Sequence, residues 1–281
     1  NLPFNIFEDA YVDTAIYIFK KQQLDKYRIY NFDKKSSVNG LNGLDFDLIP
    51  ISAINKDDFK LIQNKNVYKI QEKISQCKTK KLGDISISTQ GLSGSNFPKN
   101  NSGELYPYLN MGNVYNYKLE IIETYETDMS KHKSIKKFYD KNEKILIRRI
   151  INRQDRLTVG YTDLKLVFKK DINPFIITNN TFQTKYVLAI LASKLISWIY
   201  VNISSIALKD DFRQTTLTEL RSLSIPEVNK QKQQLFIDLA NQIIEHKKQN
   251  QDTAGLEAQI DRMVYDLYGL TEEEIAVVEG N

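Results

Sequence analysis

Residues 256–280 read LEAQIDRMVYDLYGLTEEEIAVVEG, an acidic and tightly punctuated close to a chain whose net charge is positive. Leu256, Ile260, Met263, Val264 and Leu267 recur at helical spacing and predict one apolar helix face. Gly269 stands just past the last of them, where a left-handed C-terminal cap favours glycine. Thr271 and Glu274 have the spacing of a capping box that opens a second, short helix, and its early acids suit the helix dipole. The stretch predicts a helical hairpin packed on the helix before it, and nothing in it looks catalytic.

Upstream, Leu235, Phe236, Leu239, Ile243 and Ile244 form another helical face, and Val187, Leu188, Leu191, Leu195 and Ile199 a third. The helical period therefore governs the chain after Thr184. Before it the pattern is mostly β. Residues 11–21, YVDTAIYIFKK, suggest a buried strand, and a second strand is expected at 26–32. SSVNGLNGLD reads as a turn. Val67, Ile70, Ile74 and Cys77 predict a helix after Asp57 that stops by Gly83. LGDISIST reads as a strand running into an exposed loop over 89–96. KILIRRII and LTVGYTDLKLVF are each expected to be a strand. For Tyr106, Tyr108, Tyr115 and Tyr117 the expected role is core packing. The fold class is α+β: a mixed, mostly β region followed by a helical C-terminal region.

With 281 residues, 41% of them apolar and 26% charged, the chain is of ordinary globular composition. A single cysteine, Cys77, rules out an internal disulfide, and with only His132 and His246 beside it no Cys/His zinc set exists. The most apolar stretch, 186–203, is interrupted by Ser193, Lys194, Ser197 and Asn202, so it reads as a buried helix and no membrane is expected. No segment resembles a signal peptide, and a cytoplasmic location is expected. The chain opens without methionine, which leads us to expect a piece of a longer polypeptide.

The formal charge of +4 is too small to argue from, but its distribution is uneven. Between Lys131 and Arg156 ten Lys/Arg stand against three acids, whereas from Thr253 onward seven acids stand against Arg262. A basic run either faces phosphates, releasing counterions on binding, or is a solvated surface. Arginine adds a further capacity, bidentate pairing with guanine. Adjacent arginines in a strand face opposite sides, so at most one of Arg148 and Arg149 should reach a given groove.

Catalytic motifs are missing. There is no GxxxxGK[ST] loop, no GxGxxG fingerprint and no GxSxG elbow. The (N/D/S)PP(Y/F/W) amino-methylating tetrapeptide is approached only at Asn173-Pro174-Phe175, which lacks the second proline.

Taken in order, FEDAYVDTAIYIFKK, LGDISISTQGLSGSNF, KILIRRI, YVLAILASKLISWIY, LTELRSLSIPEV, FIDLANQIIEHKK and the closing segment resemble the C-terminal part of adenine-specific DNA methyltransferases of the TaqI/Eco57I type, including type IIG restriction-modification polypeptides. The order QIDxxVYxLYGLTxxEIxxVEG is the most specific part. The resemblance implies that residues 1–25 are the tail of a methyltransferase domain, 26–226 a DNA target recognition domain and 227–281 a helical C-terminal hairpin. It implies double-stranded DNA as partner, together with an N-terminal methyltransferase/endonuclease region of the same polypeptide. S-adenosylmethionine is expected on that region and no cofactor on this chain. Candidate DNA-binding residues are Gln90, Ser93, Ser95 and Asn96 in the glycine loop, Asn110 and Asn113 in the aromatic segment, Lys133, Lys136, Lys137, Arg148, Arg149, Arg153 and Arg156 in the basic run, and Arg213. Two other readings compete: a nuclease or hydrolase site dispersed over the acids and His132, and a helical protein-interaction module or specificity subunit that pairs with a separate methyltransferase subunit.

Overall fold

The computed structural model describes residues 2, 14–32, 43–54, 61–62, 64–93, 104–127, 129–204 and 213–280. They belong to two units, residues 1–73 and 74–281. In the first, β1 (Lys26–Ile29) pairs antiparallel with β2 (Asp47–Pro50). The Tyr27 hydroxyl ties this ribbon to the following segment, donating to the Ile62 carbonyl and accepting from the Ile62 N–H at 2.9 Å. Helix α1 (Lys65–Gln76) then begins with its free N–H groups occupied: Asn64 Oδ1 accepts from Val67 N and Asp47 Oδ2 from Lys65 N.

Two expectations need correction here. The buried strand over 11–21 is not seen: residues 11–13 lie outside the described residues, 14–20 form no strand, and Ile16, Tyr17, Ile18 and Phe19 are exposed. A strand needs a neighbour along its backbone, and the described residues give this run a single such bond, from the Leu2 N–H to the Thr14 carbonyl at 2.8 Å. Nor does the helix run to Gly83. It ends at Gln76, and Gly83 sits inside a separate helical turn.

In the second unit the chain enters through β3 (Thr79–Lys81), the helical turn α2 (Leu82–Ile85) and β4 (Ser86–Ser88). β5 (Glu104–Leu109), the short hairpin β6 (Val114–Tyr115) and β7 (Lys118–Leu119), and β8 (Glu123–Thr127) follow. After α3 (Lys133–Lys136) come β9 (Lys144–Arg148), β10 (Val159–Thr162), β11 (Val167–Phe168) and β12 (Ile172–Ile177). The LTVGYTDLKLVF run is thus two strands, because the chain breaks at Asp163 and its parts join different sheets. One sheet has the order β10-β9-β12-β4, all antiparallel; the other has the order β11-β5-β8. Between them lies a core containing Tyr139, Leu146, Phe168 and Ile172, with the Tyr139 and Phe168 rings 4.7 Å apart. Burying a side chain such as Phe168 contributes about 1.5–3 kcal/mol. Of the four tyrosines expected in the core, Tyr106, Tyr108 and Tyr117 are buried and Tyr115 is not.

Lys144, at the start of β9, is fully buried. Its Nζ donates to the carbonyls of Asp140 (2.5 Å) and Leu164 (3.0 Å), closing the two loops at this end of the sheet. Burial pushes its pKa down to about 8, against the pull of Asp140 and Asp163.

The C-terminal third is helical: α4 (Thr184–Ala192), α5 (Lys194–Ile203), α6 (Leu217–Arg221), a strand β13 (Ser224–Pro226) that pairs with β3, then α7 (Lys230–Lys248), α8 (Ala254–Tyr268) and α9 (Glu272–Glu279). α4 is apolar on nearly every side and accordingly buried. Tyr186 packs edge-on against Phe236 of α7 and donates to the Pro226 carbonyl. The single buried helix expected over 186–203 is instead two helices bent by 64° at Ser193. No single helix among the described residues is long and apolar enough to cross a membrane. The closing hairpin is as the residues imply, with Gly269 left-handed at φ 67° and the Thr271/Glu274 capping box formed in both directions.

The bend at Ser193 engages two acids of the chain's close, Asp261 and Glu279. Ser193 caps α5 through its hydroxyl, and buried Asp261 of α8 accepts from the Lys194 N–H at 2.7 Å. Lys194 pairs with Glu279, which also accepts from the Tyr265 hydroxyl at 2.6 Å. On the other side, Arg156 Nη2 donates to the Ala192 carbonyl at 2.7 Å, filling the end of α4. Burial raises the Asp261 pKa, and the Lys194 N–H works against that rise. Burial works the same way on Glu279, but Lys194, Tyr265 and Arg156 outweigh it and hold that carboxyl below its ordinary value.

Two outcomes test these assignments. Asp261→Ala removes a buried acceptor from a helix start and should lower stability by about 1–3 kcal/mol in chemical unfolding. The depressed Lys144 pKa means that between about pH 8 and the ordinary 10.5 the unfolded chain holds a proton the folded chain has released. Stability from this group therefore rises with pH across that window. Lys144→Met should flatten the rise in urea midpoints measured from pH 7.5 to 10.

Candidate nucleic-acid interface

The antiparallel order β10-β9-β12-β4 brings one end of each strand to the same edge. Arg148 of β9 is opposite Ile172 at the start of β12, Ser88 at the end of β4 is opposite Phe175, and Ile147 is opposite Val159 at the start of β10. The segments that leave or enter here are 89–93, 149–158 and 169–171. They hold five of the fourteen sequence-derived candidates, Gln90, Ser93, Arg149, Arg153 and Arg156.

The glycine loop is anchored by backbone. Gly91 N–H donates to the Ile172 carbonyl, Leu92 bridges to Lys169, and the Lys170 N–H donates to the Leu92 carbonyl at 2.9 Å. A Cβ on Gly91 would overlap the Lys169 carbonyl oxygen, so only glycine allows this approach. The Tyr139 hydroxyl accepts from the Leu92 N–H at 2.9 Å from below. Gln90 is exposed and Ser93 half-buried, while Ser95 and Asn96 lie outside the described residues.

Next to this loop, the Arg149 N–H donates to the Asp171 carbonyl at 2.8 Å, which ties the arginine run to the same turn. On the far side of Arg149 the segment 213–215 is added almost as a further strand: Thr215 N–H donates to the Arg149 carbonyl and Ile151 N–H to the Arg213 carbonyl. Arg213 thereby comes within reach of the β9–β10 loop, where it pairs with Asp155. Asn152 shapes that loop by accepting from the N–H groups of Gln154 and Arg156, and Asp155 takes a left-handed φ of 59°. Arg153 is left exposed between Asn152 and Gln154. Arg148 is half-buried, and its Nε is buried with no hydrogen-bond partner.

Other candidates are placed differently. Asn110 is exposed and follows β5, whose last residue Leu109 is opposite Phe168, so it stands beside Lys169 on the adjoining sheet. Its side chain accepts from the Gly112 N–H and shapes the turn that includes Asn113, whose backbone bonds to Asn110 and Glu120. Lys133 is exposed on α3. Lys136 pairs with Asp140 at 2.7 Å. Lys137 lines a cleft with Ser88 and Thr89, alongside the edge strand β4. Arg156 is a correction to the candidate set: its guanidinium is turned inward to the Ala192 carbonyl, toward Asp261 and Glu279, and its role is structural.

Sequence reading missed Lys169 and Lys170, which the sheet places between the glycine loop and Arg149, and Arg221, whose side chain donates twice to Ser88. Neither lysine is in a dense basic run. Only strand order makes them neighbours of the loop. Asn173, in the closest approach to a methylating tetrapeptide, is buried inside β12 with Nδ2 on Thr215 Oγ1. Its amide is therefore not placed to grip a target amine. No group of His, Cys, Asp and Glu suited to a metal occurs among the described residues.

A family profile described as the TaqI-like C-terminal specificity domain matches residues 106–225. The matched span runs from β5 to β13 and so includes the arginine loop, the 169–171 turn and Arg213. Over 95% of its length the chain is 39% identical to a putative type II restriction enzyme and methyltransferase of Methanocaldococcus jannaschii. It spans about a quarter of that relative's length, 24%. In fold the chain is similar to the type IIL restriction-modification enzyme MmeI, solved in complex with DNA: TM-score 0.50, 11% identity, 92% of this chain and 41% of that one.

Because Gly91 meets Lys169 backbone to backbone, Gly91→Ala should detach the loop from the 169–171 turn. Faster amide exchange at Leu92 and Lys170, with a stability loss of about 1–3 kcal/mol, is the expected result.

Proposed function

We propose that this chain reads the base sequence of double-stranded DNA on behalf of a restriction-modification enzyme and does no chemistry itself. The observation that supports this best is the gathering of Gln90, Ser93, Lys169, Lys170, Arg148, Arg149, Arg153 and Arg213 at one end of a single antiparallel sheet. The specificity-domain match, which covers all of these but Gln90 and Ser93, and the relative's name give the reading its biological setting. Lysines and arginines set register on phosphates, while Gln90 and the arginines at the loop tips can pair with base edges.

Methyl transfer, its S-adenosylmethionine and any strand cleavage are then the work of an N-terminal methyltransferase/endonuclease region of the same polypeptide. Residues 1–25 serve as the tail of its methyltransferase domain, 26–226 as the recognition domain and 227–281 as the helical hairpin. The setting is the cytoplasm. Exposed Ile16, Tyr17, Ile18 and Phe19 suit a segment covered by another part of a larger protein.

Selection of this chain against random duplexes should enrich one short site, with affinity falling steeply as salt rises; recovery of no site would refute the reading. Arg149→Ala and Arg153→Ala should each weaken binding to the enriched site by about fivefold to a hundredfold. Arg156→Ala should instead lower the unfolding midpoint.

A further inference from the structure

Beside the edge strand β4 lies a cleft of about 470 Å³ that none of the candidate loops fills. Its lining includes Ser88, Thr89, Ser134, Lys137 and Arg221, and no acidic residue lines it among the described residues. Arg221 is built into place. Its Nε donates to Ser88 Oγ at 2.8 Å and its Nη2 to the Ser88 carbonyl at 2.7 Å. The side chain lies against Gly83, where an added Cβ would stand 3.0 Å from the Arg221 Cβ. A side chain at position 83 would therefore crowd the arginine out of its seat. Two of its five N–H donors are used on Ser88, and the others remain available on a guanidinium whose orientation is already fixed. Across the cleft, α3 and the turn after it supply Ser134 and Lys137, both exposed.

We propose that this cleft seats one backbone phosphate of bound DNA, gripped by Arg221 and Lys137 and supported by the hydroxyls of Ser134 and Thr89. The proposal rests on the DNA reading above and adds a site outside the arginine loop. Two cations with hydroxyl donors and no carboxylate suit a phosphate oxygen better than a base edge, which also presents donors. The cleft borders Thr89, the residue before exposed Gln90. A phosphate held there fixes how far along the duplex Gln90 reaches. Arg221 and Lys137 are thus positioning residues, with no sequence preference of their own.

The test compares wild type, Lys137→Gln and Arg221→Gln of the 281-residue chain on the enriched duplex and on random duplex, across a salt series. Each variant should weaken both complexes by about the same factor, three- to tenfold, and reduce the slope of log K against log salt by about 0.9. Base preference should not change, and Arg221→Lys should recover part of the loss. Lys137 makes no side-chain hydrogen bond that holds the cleft together, so its variant tests the site even if Arg221→Gln disturbs β4. Wild-type affinity and slope in Lys137→Gln would overturn the cleft proposal while leaving the DNA reading intact. So would an altered base preference with an unchanged slope. A wild-type chain that binds no duplex would overturn both.

Discussion

The second unit turns on a break in a buried helix. Where α4 stops and α5 starts, backbone carbonyls and N–H groups lose their helical partners far from water, and each left unpaired would cost about 1–3 kcal/mol. Arg156 covers the carbonyl side, and Ser193 and Asp261 cover the N–H side. These groups come from three distant places: the β9–β10 loop, the break itself and α8. Lys194, Glu279 and Tyr265 extend the cluster to α9. A single junction therefore links the sheet, the central helices and two acids of the chain's close, Asp261 and Glu279.

The same junction connects scaffold to function. Arg156 is the last residue of the turn that Asn152 organises, and Arg153 is at its exposed part. Rigid anchoring of one arginine holds its neighbour in a defined place, which matters because pre-set donors lose less freedom on binding. The glycine loop is anchored in another way, by close backbone approach to 169–171 and by the Tyr139 hydroxyl. Both loops are thus held at their bases by buried contacts.

Much of this was legible in the residues. Gly269 and the Thr271/Glu274 pair announced their cap and box, because those signals are local and depend on a few adjacent dihedrals. The helical faces after Thr184 and the burial of Tyr106, Tyr108 and Tyr117 followed from periodicity and apolar mass. Periodicity passed straight over Ser193, since a buried bend keeps the same apolar residues on both sides of it. Arg156 looked like its neighbours because charge counting cannot see which guanidinium is paired across 36 residues. The part played by Lys169, Lys170 and Arg221 depends on strand order and on a contact 133 residues apart, which no local pattern encodes.

The register of the four-stranded sheet is set by side chains such as Ile145, Leu146 and Ile147, which are fully buried. Residues at the loop end join that alignment through main-chain hydrogen bonds, Arg149 N–H to Asp171 and Gly91 N–H to Ile172. Apart from Gly91, whose place admits no Cβ, their side chains can change without removing those bonds.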